Sequence, residues 1–447
     1  MSNIRRVNTM TRTAKPLDLP QAEIRKLISL LDAGKNREVL KLIKPLTKKF
    51  AHSPLLHLIL GTANQAIAKL DSAIENYRKA LKLDSSLIPA YSNLGAALID
   101  KGELEAAMVC YESVIELDPH HADAHFNVGS LHLEKEDIDS AMTSFSIALS
   151  VQPNHVDAKN SMGFIFKIKK EYLDAKECFE RVIELDPTFF LAYKNLGDVF
   201  YDLGKYDSAI TNYLHTIELN PKLSEAYSSL GNTYREKGDI EKAITNYNLA
   251  LKYKVSSVEA LFNLASAFFI NGDYQNSIIH YSKVIELEPD NDTAFQQMCT
   301  AFANLSIEEY APEIEEICER ILDKKNCFGP IDMVYPVIKL MKINPNFKNL
   351  FNMSCKIGQE TVVQEFLQEL LKFPLLEQII TICQVPDRDI NQLLENTREA
   401  LIMNLAKLEF NTELLRYYSA LSIQCFINEY IFERSERAEN VILEIET

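Results

Sequence analysis

His120, His121, Asp123 and His125 are the cluster whose spacing resembles a metal site, because His121 and His125 stand four residues apart on one helix face. A plainer use fits them better. His125 falls where an aromatic packing residue recurs and His132 in the next core place of the same helix, so the cluster is read as packing. The sequence contains no GxGxxG, P-loop, GxSxG or HExxH pattern, and neither a catalytic centre nor a cofactor is expected. A different residue type repeats more regularly. Asn93, Asn127, Asn195 and Asn263, with Ser161 and Ser229 between them, fill one place of a 34-residue series. An amide both donates and accepts, which suits a peptide backbone of any sequence better than a charge does. Asparagine is also a poor helix former, so its return at one place reflects either peptide binding or a solvated face.

The elements that carry this series follow from other residues in the same phase. Gly61, Gly95, Gly129, Gly163, Gly197 and Gly231 are 34 residues apart, and Ala265 continues them. Ala73, Ala107, Ala141, Ala175, Ala209 and Ala243 keep the interval, as do Tyr77, Tyr111, Phe145, Phe179, Tyr213, Tyr247 and Tyr281. Such a period marks a helical repeat array. Within 88–121, Tyr91, Leu94, Gly95 and Leu98 share one face of a helix at about 100° per residue. Gly102 interrupts the pattern, Ala107, Tyr111 and Val114 resume it on a second helix, and Pro119 closes the unit. Each unit is therefore a helical hairpin. Small residues are expected to let its helices approach, with the aromatic series filling the space between neighbouring hairpins.

Segments such as AYSNLGAALIDKGELEAAMVCYESVIELDP and AYKNLGDVFYDLGKYDSAITNYLHTIELNP resemble the tetratricopeptide repeat family. The resemblance implies an all-α fold, a right-handed superhelix (α-solenoid) of about eight hairpins over 21–305, with units near 21–53, 54–87, 88–121, 122–155, 156–189, 190–223, 224–257 and 258–291. The unit at 21–53 is degenerate and is expected to cap the stack, and Ala294 and Met298 place one further helix over the last hairpin. The family's first aromatic place holds Tyr91, His125, Lys159, Tyr193, Tyr227 and Leu261, of which Lys159 is a departure. In the family, positions two, six, nine and thirteen of each unit line the concave face. Asparagines at position six resemble the ladder of O-linked N-acetylglucosamine transferases, which holds an extended peptide. The resemblance thus implies a peptide track at Asn93, Asn127, Asn195 and Asn263, with Asp100, Asp198, Tyr201, Asn232, Arg235 and Glu236 beside it. Their carboxylates would favour a neutral or basic segment. The family's carboxylate clamp is matched only by Lys194, beside which Asp198 would repel an acidic peptide end.

A net charge of −16 argues against nucleic acid as a partner. Eight scattered cysteines without CxxC fit core positions in a reduced, cytoplasmic setting, and no apolar run suits a membrane span or a secretory signal. Residues 1–20 read as a disordered basic tail, and 306–447 as an all-helical C-terminal domain. Within that domain, Pro374, Leu375, Leu376, Leu393, Leu394, Arg398, Leu401, Gln424, Cys425, Phe426, Asn428, Glu429 and Tyr430 resemble a segment linking tetratricopeptide repeats to methyltransferases in some bacterial proteins. The glycine-rich cofactor loop of such an enzyme does not follow in this sequence. Two functions are therefore expected. One is a non-catalytic scaffold binding an extended peptide of a partner protein, of uncertain oligomeric state. The other is the substrate-recruiting front of a methyltransferase or glycosyltransferase type of enzyme.

Overall fold

The structure, a computed structural model, describes residues 19–305, 312–322, 334–356, 360–382, 387–403, 416–417 and 419–421. Most of the expected tail at 1–20, and Cys327, Cys383, Gln424, Cys425, Phe426, Asn428, Glu429 and Tyr430, lie outside these residues. Every described element is an α-helix.

Two compact units, Met1–Leu219 and Asn220–Thr447, divide the chain. In the first, helices pair in sequence: α1 (Gln21–Asp32) with α2 (Asn36–Lys49), α3 (Pro54–Gln65) with α4 (Leu70–Leu83), and α5 (Ile88–Asp100) with α6 (Leu104–Leu117). Then α7 (Ala122–Glu134) pairs with α8 (Ile138–Val151), α9 (Val156–Ile168) with α10 (Tyr172–Leu185), and α11 (Phe190–Asp202) with α12 (Tyr206–Leu219). The second unit holds α13 (Ser224–Glu236) with α14 (Ile240–Tyr253), α15 (Val258–Ile270) with α16 (Tyr274–Leu287), and α17 (Asp292–Asn304). It continues with α18 (Pro312–Leu322), α19 (Val334–Ile343), α20 (Pro345–Ser354), α21 (Glu360–Leu370), α22 (Pro374–Ile382) and α23 (Arg388–Met403).

Glycine is required where the two helices of a hairpin cross. A Cβ on Gly95 would stand 2.8 Å from the Tyr111 ring, and one on Gly197 2.7 Å from the Tyr213 ring. Both are closer than carbon atoms can pack. The aromatic series therefore fills the space inside its own hairpin, against the glycine of the preceding helix, and not the space between hairpins expected from the sequence. The turn joining the two helices keeps the same period. Gly34, Gly102, Gly204, Gly238 and Gly272 adopt positive φ there. Ala68, Glu136 and Lys170 take the remaining places at φ of 58°, 61° and 62°, a left-handed backbone that Cβ disfavours.

In the second unit α17 packs on α16 and also meets α19. One apolar core in the second unit runs from Leu261 through Phe302 and Ile338 to Leu421, on both sides of residue 305. Four cysteines, Cys110, Cys178, Cys299 and Cys318, are buried as expected, whereas Cys355 at the end of α20 is exposed.

Candidate functional site

The asparagine series lies on the first helix of each hairpin, and these helices stand beside one another, α7 by α9 and α9 by α11 in the first unit, α13 by α15 in the second. Core residues at positions seven and eight face inward: Leu94 and Gly95, Leu196 and Gly197, Leu264 and Ala265 are all buried. The residue just before them is therefore turned toward the helix edge. Asn93, Ser161 and Asn195 are half-buried, as are Asn127, Ser229 and Asn263, so the amides are neither sealed inside nor fully solvated.

Contacts between consecutive units show how each member is held. Asn93 donates to the Thr62 hydroxyl at 3.4 Å, and Asn195 donates to the Asn160 side-chain amide oxygen (Oδ1) at 3.1 Å. Asn127 has no side-chain hydrogen bond among the described residues, which leaves its donor and acceptor open. In the second unit Arg235 donates to Asn263 at 3.4 Å and to Glu236 at 3.3 Å, so three of the residues expected to act together do meet. Asp100 is exposed and accepts from Gln65 at 3.0 Å. Tyr201 packs against Tyr206, with ring centroids 5.9 Å apart.

Asp198 sits differently from the expectation. One carboxylate oxygen accepts from Lys167 at 2.6 Å and Lys194 at 2.9 Å, and the other accepts from the Tyr213 hydroxyl at 2.9 Å. Lys167, Lys170 and Lys194 stand against the Asp198 and Asp202 carboxylates, so the repulsion of an anion that Asp198 alone would exert is offset here. Sequence reading missed the point because Lys167 comes from the preceding hairpin. Nearby, burial lifts the Asp202 carboxyl above its ordinary range, with Asp198 adding to the shift and Lys167 and Lys170 opposing it.

A second relation, also unseen in the sequence, explains several position-nine residues. In three hairpins the buried tyrosine of the second helix directs its hydroxyl to position nine of the first: Tyr213 meets Asp198, Tyr247 donates to Asn232 at 2.6 Å, and Tyr281 meets Ser266 at 2.8 Å, whereas Tyr77 donates to Gln65 at 2.9 Å with Thr62 at 3.5 Å. Asp198 and Asn232, both expected at the track, thus also satisfy a buried phenol. The signal was partly available: Asp198, Asn232 and Ser266 at position nine precede a tyrosine by fifteen residues and Phe164 precedes Phe179, whereas Ser130 precedes Phe145 and Ala96 precedes Tyr111.

The histidines have positive structural uses. His125 donates through Nε2 to the Pro119 carbonyl at 3.0 Å, matching the Tyr227 hydroxyl on the Pro221 carbonyl at 3.1 Å in the equivalent place. His121 and His155 accept through Nδ1 from the Ala124 and Ala158 amides at 3.2 Å, capping α7 and α9. The His155 Nε2 stands 3.2 Å from Asp123.

Residues 69–102, 96–135, 197–235 and 231–272 match the TPR repeat, and 122–155, 156–189, 178–211 and 258–291 match the tetratricopeptide repeat. No curated protein matches the sequence significantly. Among solved structures, the APC/C hetero-tetramer Cut9–Hcn1 is similar at 19% identity over 54% of this chain and 48% of that one, with a TM-score of 0.49. This chain therefore spans about half of that protein's length. Pseudomonas aeruginosa PilF aligns at 19% identity over 48% of this chain and 98% of its own, with a TM-score of 0.44. YrrB, described as a TPR protein with an unusual peptide-binding site, aligns at 19% identity over 42% of this chain and 96% of its own, at 0.35. Matched glycines, paired helices and contiguous repeat matches converge on one statement: residues 69–291 are a run of tetratricopeptide repeats within an all-α chain.

Proposed function

We propose that the chain is a non-catalytic, cytoplasmic scaffold that holds an extended segment of a partner protein along the position-six face of its repeats. The observation that carries this reading is the half-exposure of Asn93, Asn127 and Asn195 on consecutive hairpins of one unit, with Ser161 between them. Half-buried amides exclude part of the competing water while keeping donors and acceptors in reach of a peptide backbone. Asn263, Arg235 and Glu236 offer the same chemistry in the second unit. The array at 21–305 is the binding part, and residues 306–447 buttress its end. A preference for neutral or basic residues is confined to the steps at Asp100 and Glu236, since the Asp198 charge is offset by Lys167 and Lys194.

Replacing Asn93, Asn127, Asn195 and Asn263 together with Ala tests the reading. Capture of the partner should fall about tenfold or more with an unchanged melting temperature, because each lost hydrogen bond weakens binding by about 0.5–1.5 kcal/mol. Unchanged capture would remove the ladder. The alternative, a recruiting front for a protein-modifying transferase, requires a methyltransferase reading frame fused to this sequence or adjacent to it, which sequencing of the locus decides.

A further inference from the structure

One step of the first unit departs from the amide chemistry around it. At position nine the described repeats carry Thr62, Ala96, Ser130, Asp198, Asn232 and Ser266, yet α9 carries Phe164. One turn later, at position thirteen, stands Ile168. Both are on the surface, Phe164 37% and Ile168 47% exposed. Packing does not require them. The buried ring behind this helix is Phe179, which has no hydroxyl to satisfy, so a small residue would serve the core equally well.

The charge around this step is also unlike the rest. Residues 156–170 carry Lys159, Lys167, Lys169 and Lys170 against Asp157 alone, in a chain of net charge −16. The equivalent stretch 122–136 carries Asp123, Glu134 and Glu136 against Lys135. Lys167 and Lys194 share the Asp198 carboxylate and keep 22% and 26% of their side chains exposed; with Asp202 beside Lys167 and Lys170, three ammonium groups face two carboxylates. Asn93 at position six donates to Thr62 at position nine of the preceding repeat, and Asn195 and Phe164 hold the same two positions on α11 and α9 of the first unit. An apolar ledge, an amide and an excess ammonium charge therefore adjoin one another on α9 and α11.

We propose that the Phe164 and Ile168 ledge anchors a partner segment bearing an aromatic or branched apolar side chain beside an Asp or Glu. The apolar side chain covers Phe164 and Ile168, the acidic one meets Lys167 and Lys194, and Asn195 holds the backbone between them. This deepens the groove reading and rests on it.

A displayed library of random linear dodecapeptides, selected on the full chain, supplies the probe. Peptides pairing an acidic residue with Phe, Leu, Ile or Val are expected to be enriched. Substitutions for the test come from equivalent places in this chain: Phe164→Ser as in Ser130, Ile168→Ala as in Ala66, and Lys167→Gln as in Gln65. Phe164→Ser with Ile168→Ala should weaken a selected peptide about tenfold at unchanged melting temperature. Lys167→Gln with Lys194→Ser should weaken it most at low salt. If the asparagine variant loses the peptide and the ledge variant keeps it, the groove stands and the anchor fails. Loss in neither variant, or no enrichment, defeats both. Enrichment of basic peptides overturns the anchor, as does self-association of the chain that the ledge variant abolishes, since a second copy would then be the occupant.

Discussion

Ser277 shows how far one atom can depart from a repeat pattern. It occupies the place held by Ala73, Ala107, Ala141, Ala175, Ala209 and Ala243, is fully buried, and has a hydroxyl with no hydrogen-bond partner among the described residues. Ser277→Ala should raise stability by about 1–2 kcal/mol in denaturant titration, because an unmet buried hydroxyl carries its full desolvation cost. A drop would mean that the hydroxyl has a bound water. His280 on the same helix links stability to pH. Burial lowers its imidazole below the ordinary value of 6.5, helped by Lys283 and opposed by the Asn276 carbonyl and Asp273. With the folded value lowered, the unfolded chain takes up the proton first as pH falls. The stabilisation is therefore complete above 6.5 and is lost as pH drops from there through the lowered folded value. His280→Gln should flatten the stability curve in that window, and an unchanged slope would assign the dependence elsewhere.

The hairpins from α3–α4 to α13–α14 each depend on a glycine against a ring and on a left-handed turn. Gly197→Ala places a Cβ 2.7 Å from the Tyr213 ring, and the ring cannot retreat without losing its hydrogen bond to Asp198. The expected loss is about 1–3 kcal/mol, read as a lower denaturant midpoint at unchanged slope. The turn gives the opposite sign. Ala68 stands at φ 58° where Gly102 and Gly204 stand in other hairpins, so Ala68→Gly should stabilise by about 0.5–1 kcal/mol by relieving Cβ strain. Destabilisation instead would show that lost unfolded-state restriction outweighs the strain.

For the molecule as a whole, repeat physics makes stability local, because each hairpin is held mainly by its neighbours. The second unit shows the consequence. Ile285, Met298 and Phe302 share a core with Ile338 and Leu376, so ending the chain at residue 305 uncovers the last hairpin. Hydrogen exchange should then show lost protection in α15 to α17 while α3 to α12 retain theirs. Equal protection in both chains would mean that residues 306–447 contribute no support. No described helix is long and apolar enough to cross a membrane.

The 34-residue period determined the tandem hairpins and put each asparagine on the first helix of its hairpin, since a helix repeats its faces by number alone and Gly61 to Gly231 keep count without error. The same counting placed His125 among packing residues and left it the hydrogen bond of a tyrosine. Counting within one unit could not show what crosses to the next. Lys167 reaching Asp198 from the preceding hairpin and the core joining Leu261 to Leu421 both involve partners distant in sequence. The period fixes direction along a helix, whereas charge balance and burial depend on which side chains adjacent helices bring within a few ångströms, and only the folded chain decides that.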